Sequence, residues 1–130
     1  MQITKLTADF SVSPQITVAD IPAVVAQGFG SIVCNRPDGE AADQPRFAEI
    51  EAAAKAQGLT ALYLPVSGMP GAATIKAFDD AWAGLPKPVL GYCRSGMRSS
   101  AVWSASRAAR AGAALSAPGI MGGVLRRLGL

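Results

Sequence analysis

The chain has 130 residues, half of them hydrophobic and 16% charged, which is one domain's worth of sequence with a core and not a disordered segment. No apolar run approaches the roughly 20 residues that a membrane span needs, and the absence of histidine removes Cys–His, Ser–His–Asp and imidazole–zinc chemistry. The net charge of +3 is unevenly placed: residues 1–80 hold five Lys/Arg against nine acids, and residues 81–130 hold seven Lys/Arg and no acid, a half suited to attracting anions.

Residues 2–11 read as one or two short extended pieces. Thr17 with Asp20 three residues on is a capping-box pattern, and the helix it opens sends Val24, Val25 and Phe29 towards a core. Ser31-Ile32-Val33-Cys34 reads as a buried strand, stopped by the turn cluster Asn35-Arg36-Pro37-Asp38-Gly39. Pro45 opens a second helix whose Phe47, Ile50 and Ala54 share a face, and Gly58 ends it in the left-handed conformation. Residues 60–66 form the next strand, followed by a Gly/Pro loop over 67–71 and a helix with Ile75, Phe78 and Trp82 on one side. After Leu85-Pro86-Lys87-Pro88 comes the apolar strand Val89-Leu90-Gly91-Tyr92, then a Ser- and Ala-rich helix over about 99–111. A last helix is expected over about 121–128.

Alternating strands and helices imply a single α/β domain over residues 1–130, with a mostly parallel sheet and helices on both faces. Ligands of such sheets sit beyond the carboxyl ends of the strands. The turn after Cys34, the loop after Val66 and the loop after Tyr92 are therefore expected to meet at one rim.

The last of these loops carries chemistry. In Cys93-Arg94-Ser95-Gly96-Met97-Arg98-Ser99, a thiol at a strand end faces the first N–H groups of a helix. Those amides, with Arg94 and Arg98, favour the reactive thiolate. Gly96 lets the backbone curl into an anion nest. Ser99 is placed to donate to the thiolate or to cap the helix. The pattern points to a catalytic set of Cys93, Arg98 and Ser99, with Arg94, Ser95, Gly96 and Met97 lining the anion site and no acid nearby in sequence to neutralise the arginines.

This loop resembles the active loop of rhodanese-type sulfurtransferases, with four residues between Cys93 and Arg98. Cysteine-dependent phosphatases carry five, usually with a His before the Cys, where Tyr92 stands here. With Asn35-Arg36-Pro37-Asp38-Gly39-Glu40, Gln44-Pro45, Glu49-Ile50-Glu51-Ala52-Ala53-Ala54 and Leu64-Pro65-Val66, the chain resembles the beta-lactamase-hydrolase-like, phosphatase-like domain family over about residues 3–112. The resemblance implies a dual-specificity-phosphatase-like fold, sulfur transfer or phosphatase activity, and a link to bacterial sulfide or persulfide oxidation. A persulfide dioxygenase or another sulfide-oxidation protein is the partner it implies. Cys34 departs from the pattern, which leads one to expect Asn. The loop 65–70 lacks the Asp that a phosphatase of this fold uses as general acid, a group worth about 10²–10⁴-fold in rate. A thiolate leaving group needs no such acid.

The expected function is therefore a sulfurtransferase in which Cys93 carries sulfane sulfur as a persulfide, taking it from a small anionic donor and passing it to a thiol acceptor, with no cofactor or metal. The alternatives are a phosphatase-like hydrolase acting through a cysteinyl-phosphate, and a non-catalytic oxyanion-binding or redox-responsive domain. Arg36 either pairs with Asp38 and Glu40 or binds substrate. Asp38 and Glu40 follow the Cys34 strand and are placed to reach the rim, or Asp38 instead forms its own turn. Cys34 is either a small buried hydrophobe or a resolving thiol. Asp79 and Asp80 read as a solvated helix face, and Trp82 and Trp103 as core. Little aromatic interleaving among the arginines speaks against nucleic acid. No basic-then-apolar pattern opens the chain, so a cytoplasmic location is expected.

Overall fold

In a computed structural model, residues 1–116 are described. They contain five strands, β1 (Thr4–Lys5), β2 (Phe10–Ser13), β3 (Ser31–Cys34), β4 (Thr60–Tyr63) and β5 (Val89–Tyr92). Four helices connect or follow them, α1 (Ile21–Ala26), α2 (Phe47–Ala56), α3 (Ala72–Trp82) and α4 (Met97–Ser116), and a 3₁₀ turn, Val18–Asp20, leads into α1. The sheet order is β1-β2-β5-β3-β4, parallel except for β1 against β2. The mostly parallel sheet with helices on both faces is thus as expected. The expected helix over 121–128 lies outside the described residues. None of the described helices is long and apolar enough to cross a membrane.

The two-residue period of the strands divides the core. Ile32, Cys34, Leu90 and Tyr92 face a layer made by α1 and α2, with Ile21, Val24, Phe47, Ile50 and Ala54. Val33 and Val89 face the other layer, where Phe78 and Trp82 of α3 meet Val102 and Trp103 of α4. Phe10 stacks on Trp103 with ring centroids 4.5 Å apart, so both tryptophans are core as expected. β3 and β5 are buried at every position because they are covered on both faces.

Local signals act as read, with shifts at the edges. The Thr17 amide donates to Asp20 Oδ2 at 2.8 Å, and the turn it closes feeds α1. Gly58 has φ +85°, the left-handed stop of α2. The strand expected over 60–66 pairs as a strand only to Tyr63, yet Leu64 N–H reaches Cys34 O at 2.8 Å and Val66 N–H reaches Asn35 O at 2.9 Å. The helix expected from about 99 starts at Met97, because Ser95 Oγ accepts the Met97 N–H at 3.3 Å and caps it two residues earlier.

One glycine sets how closely α4 approaches the sheet. A Cβ on Gly91 would lie 2.8 Å from Phe10 Cζ and 3.3 Å from Ser99 Cβ. Only a residue without Cβ lets the first turn of α4 rest against β5 and bring its N-terminus under Cys93.

Candidate active site

The three loops named from sequence do meet at the carboxyl rim. Ser99 Oγ–H donates to Asn35 Oδ1 at 2.8 Å, and Asn35 Nδ2 donates to Leu64 O at 2.8 Å. Arg98 Nη1 donates to Val66 O at 2.8 Å. A fourth segment, after β2, joins them: Cys93 N–H reaches Ser13 O and Gln15 N–H reaches Arg94 O, both at 3.4 Å.

Cys93 is at the centre and fully buried. Gly96, at φ +95°, turns its N–H onto the sulfur at 3.0 Å. Burial alone would raise the thiol, but the N–H groups of Ser99, Ser95, Arg98 and Gly96 converge on the sulfur and hold its pKa below the ordinary value. The positive charge of Arg98 adds to this attraction. The arrangement favours the thiolate, the direction in which the loop pattern points.

Several expected roles change. Arg98 has one end of its guanidinium already engaged. Its Nη1 and Nη2 make a two-pronged pair with Glu40, at 2.7 and 2.8 Å, and Nη1 spends its second hydrogen on Val66 O. The absence of a neutralising acid, inferred from local sequence, is thereby corrected: Glu40 stands 58 positions away in the chain and touches Arg98 directly. The Ser99 hydroxyl does not face the sulfur. It is committed to Asn35, and only the Ser99 amide serves the thiolate. Ser95 contributes its amide to the sulfur and its hydroxyl to the α4 cap. Met97 is 76% exposed and lines a groove on the other flank of the loop.

Arg36 follows the pairing alternative. Its Nε donates to Glu40 Oε1 at 3.1 Å and its Nη1 to Gln15 Oε1 at 3.1 Å. Asp38 is structural: its Oδ1 accepts the Phe47 N–H at 2.8 Å and caps α2 from nine residues upstream. Cys34 sits in the α1/α2 core layer, with its thiol donating to Arg36 O at 3.3 Å, and burial raises its pKa. It follows the buried-hydrophobe alternative, since its strand direction puts it on the sheet face away from the α4 layer. Tyr92 shares that face, and burial raises its phenol. Asp80 pairs with Lys76 on an exposed surface, whereas Asp79 accepts from Ser106 and faces Arg110, so only Asp80 is a simple solvated acid.

Arg94 alone matches the free cation expected of it. It is exposed and has no ion pair among the described residues. It lines a groove of about 840 Å³ beside the loop, with Gln15, Arg36, Glu40, Asp43 and Arg98. Sequence reasoning missed Glu40 as the clamp on Arg98 and Asn35 as the link between α4 and β4. The spacing of Arg36 and Glu40, four residues apart, was the available signal for the first. No group of three or more metal-ligating side chains occurs among the described residues.

The comparisons agree with this architecture. A family model described as "Beta-lactamase hydrolase-like protein, phosphatase-like domain" matches residues 2–110. A beta-lactamase hydrolase-like protein of Agrobacterium fabrum is 36% identical over 99 residues, 75% of this chain and 23% of that protein. The chain spans about a quarter of the length of the curated relatives it matches. Among solved structures, a "putative phosphatase" from Neisseria meningitidis has a TM-score of 0.77 and 37% identity, covering 85% of this chain and 79% of that one. A kinase associated phosphatase has a TM-score of 0.67 at 15% identity, covering 81% and 71%, which is a likeness of fold. These names speak for the phosphatase-like reading more than for sulfur transfer. The chain belongs to the phosphatase-like domain family of beta-lactamase hydrolase-like proteins, with the fold of the cysteine phosphatases.

Proposed function

We propose that the domain is a sulfurtransferase in which the Cys93 thiolate takes up sulfane sulfur as a persulfide and hands it to a second thiol. The observation that carries this reading is the state of Glu40, the carboxylate joined to the catalytic loop. Its pairing with Arg98, against the cost of burial and with further help from Arg36, holds its pKa at about 2. It stays ionised and has no proton for a departing alkoxide. Asp38 is spent on the α2 cap, and the loop 65–70 offers no carboxylate. Expulsion of a thiolate or sulfite needs no such proton.

The steps balance without a cofactor. The Cys93 thiolate attacks the outer sulfur of the donor, the Sγ–S bond forms, the donor's S–S bond breaks, and the donor leaves with the electron pair. An acceptor thiolate then attacks the outer sulfur of the Cys93 persulfide and restores the Cys93 thiolate.

A second reading is phosphate-ester hydrolysis through a cysteinyl-phosphate. It is favoured by the relatives described above and by Asp43, an exposed carboxylate on the same groove. The test is intact-mass analysis after exposure to a sulfane-sulfur donor, with aryl-phosphate turnover in parallel. Sulfur transfer predicts one added sulfur, lost in Cys93→Ser, and little hydrolysis. Efficient hydrolysis without sulfur loading, falling about 10²-fold or more in Asp43→Asn, selects the second reading.

A further inference from the structure

We infer that the groove beside the Cys93 loop reads the carrier of the sulfane sulfur by two charges of opposite sign. Arg94 takes a carboxylate and Asp43 an ammonium, so the favoured donor is the persulfide of an amino-acid thiol. This inference rests on the persulfide reading above and names its donor class.

The first argument is which charges are left over. The charged side chains lining the groove are Arg36, Glu40, Asp43, Arg94 and Arg98. Arg36 and Arg98 both hold the Glu40 carboxylate, so these three are engaged with one another. Arg94 and Asp43 remain. Both are exposed, and neither has an ion pair among the described residues, with the other or with a third group. One groove thus presents a cation and an anion that do not neutralise each other. A ligand with one charge of each sign answers both, whereas a ligand of a single sign leaves one unanswered.

The second argument is that both charges stand on pinned backbone. Asp43 lies in the turn between β3 and α2. There Gln44 Oε1 accepts the N–H groups of Glu40 and Ala41 at 3.1 and 3.2 Å, and Gln44 Nε2 donates to Pro37 O at 2.9 Å. Arg94 follows Cys93 directly, and its carbonyl accepts the Gln15 N–H at 3.4 Å. A carboxylate held by Arg94 therefore keeps the carrier beside the loop that its sulfur must reach.

The third argument is room. The groove of about 840 Å³ is of the size that small organic ligands occupy. Ala41 and Gly68 leave part of its wall without charge, where the short carbon frame of an amino-acid thiol fits. The chemistry is the exchange already written. The outer sulfur passes to Cys93 Sγ and the carrier leaves as a thiolate, with its carboxylate and ammonium unaltered.

An exposed ion pair changes affinity by up to about fivefold, so about threefold is expected for each charge and about tenfold for a carrier using both. Four persulfides test this: those of cysteine (both charges), N-acetylcysteine (carboxylate), cysteamine (ammonium) and 2-mercaptoethanol (neither). Loading of Cys93 at low donor concentration is followed by intact mass in the parent, Arg94→Gln, Asp43→Asn and the double variant. Each donor is compared with itself across the proteins, which cancels its intrinsic reactivity, and any loss common to all four is divided out. Arg94→Gln is expected to slow the cysteine and N-acetylcysteine persulfides about threefold beyond the other two. Asp43→Asn is expected to slow those of cysteine and cysteamine about threefold beyond the other two. In the double variant the cysteine persulfide loses about tenfold relative to that of 2-mercaptoethanol. A damaged fold slows all four together and cannot produce this crossed pattern. Equal losses for all four donors overturn the inference and leave the persulfide reading standing. A pattern in one variant alone overturns it in favour of a carrier bearing that one charge. Failure of the parent to load from any of the four defeats the persulfide reading itself and the carrier assignment with it.

Discussion

Asn35→Ala isolates the strut that carries the catalytic loop. Asn35 is 1% exposed and Ser99 is fully buried. The amide donates to Leu64 O and accepts from Ser99 Oγ, both at 2.8 Å, so one side chain ties the ends of β3, β4 and the first turn of α4 together. Truncation removes two hydrogen bonds, each worth about 1 kcal/mol net, and leaves a buried hydroxyl and a carbonyl short of a partner at about 1–3 kcal/mol each. Partial rescue by the released groups brings the expected loss to about 2–5 kcal/mol. At about 3 kcal/mol the melting temperature falls by roughly 10 °C for a domain of this size. Urea denaturation measures the loss. Ser99→Ala breaks the same bond from the other side, so the double variant should be less destabilised than the sum by about 1 kcal/mol. The rate of Cys93 alkylation against pH gives an independent reading: with Ser99 released, its amide leaves the sulfur and the thiol midpoint rises. A loss below about 0.5 kcal/mol, or full additivity with Ser99→Ala, refutes the strut.

Cys93 should supply the fast-alkylating thiol, with a midpoint below the ordinary 9.0, and Cys34 a slow one above it; Cys93→Ser and Cys34→Ser assign the two phases, and a fast phase surviving in Cys93→Ser defeats the assignment. The same shifts act oppositely on stability: the Cys93 contribution is full above 9.0 and fades as pH falls through its lowered folded value, while that of Cys34 is full below 9.0 and is lost as pH rises through its raised one. Unfolding curves of the two serine variants across the alkaline range should therefore deviate from the parent with opposite slopes. Glu40 contributes stability above its unfolded value of 4.5 that is lost as pH drops through about 2; Glu40→Gln should flatten that acid limb, and an unchanged limb would show that the pair with Arg98 does not persist in solution. Gly91→Ala puts a Cβ 2.8 Å from a Phe10 ring already stacked on Trp103, so it should cost about 1–3 kcal/mol; a melting temperature equal to the parent's would mean the ring has room to move.

What sequence could convey depended on the distance between interacting groups. The strands at 31–34 and 89–92 were legible because burial on both faces demands unbroken apolar runs. Cys93, Gly96 and the amides before Ser99 were legible because a strand-to-helix loop fixes their relation within seven residues. The cap on α2 was not, since Asp38 serves it from nine residues away across a turn cluster that reads as self-contained. The start of α4 was misplaced by two residues because Ser95 and Ser99 are equally good caps in sequence, and only Asn35 decides between them by occupying Ser99. Glu40 can be placed at the rim from sequence, but its pairing with Arg98 cannot, since 58 positions separate them and no local pattern reaches that far.

That last contact also explains why kinship with phosphatases does not fix the reaction. A fold supplies the rim, the helix N-terminus and the buried sulfur; the chemistry follows from what the charges at that rim are already doing. Here the loop amides favour the thiolate before any substrate arrives. Arg98 is held by Glu40 and Val66 O, which keeps it in place and takes the Nη1/Nη2 end of its guanidinium. A phosphoryl ester asks that site for a proton for its leaving group, and Glu40, held ionised, does not supply it. A sulfur atom asks only for a reactive thiolate and a leaving group that departs as an anion. The same carboxylate that weakens the case for ester hydrolysis therefore strengthens the case for sulfur transfer, and neutralising it is the change that separates the two.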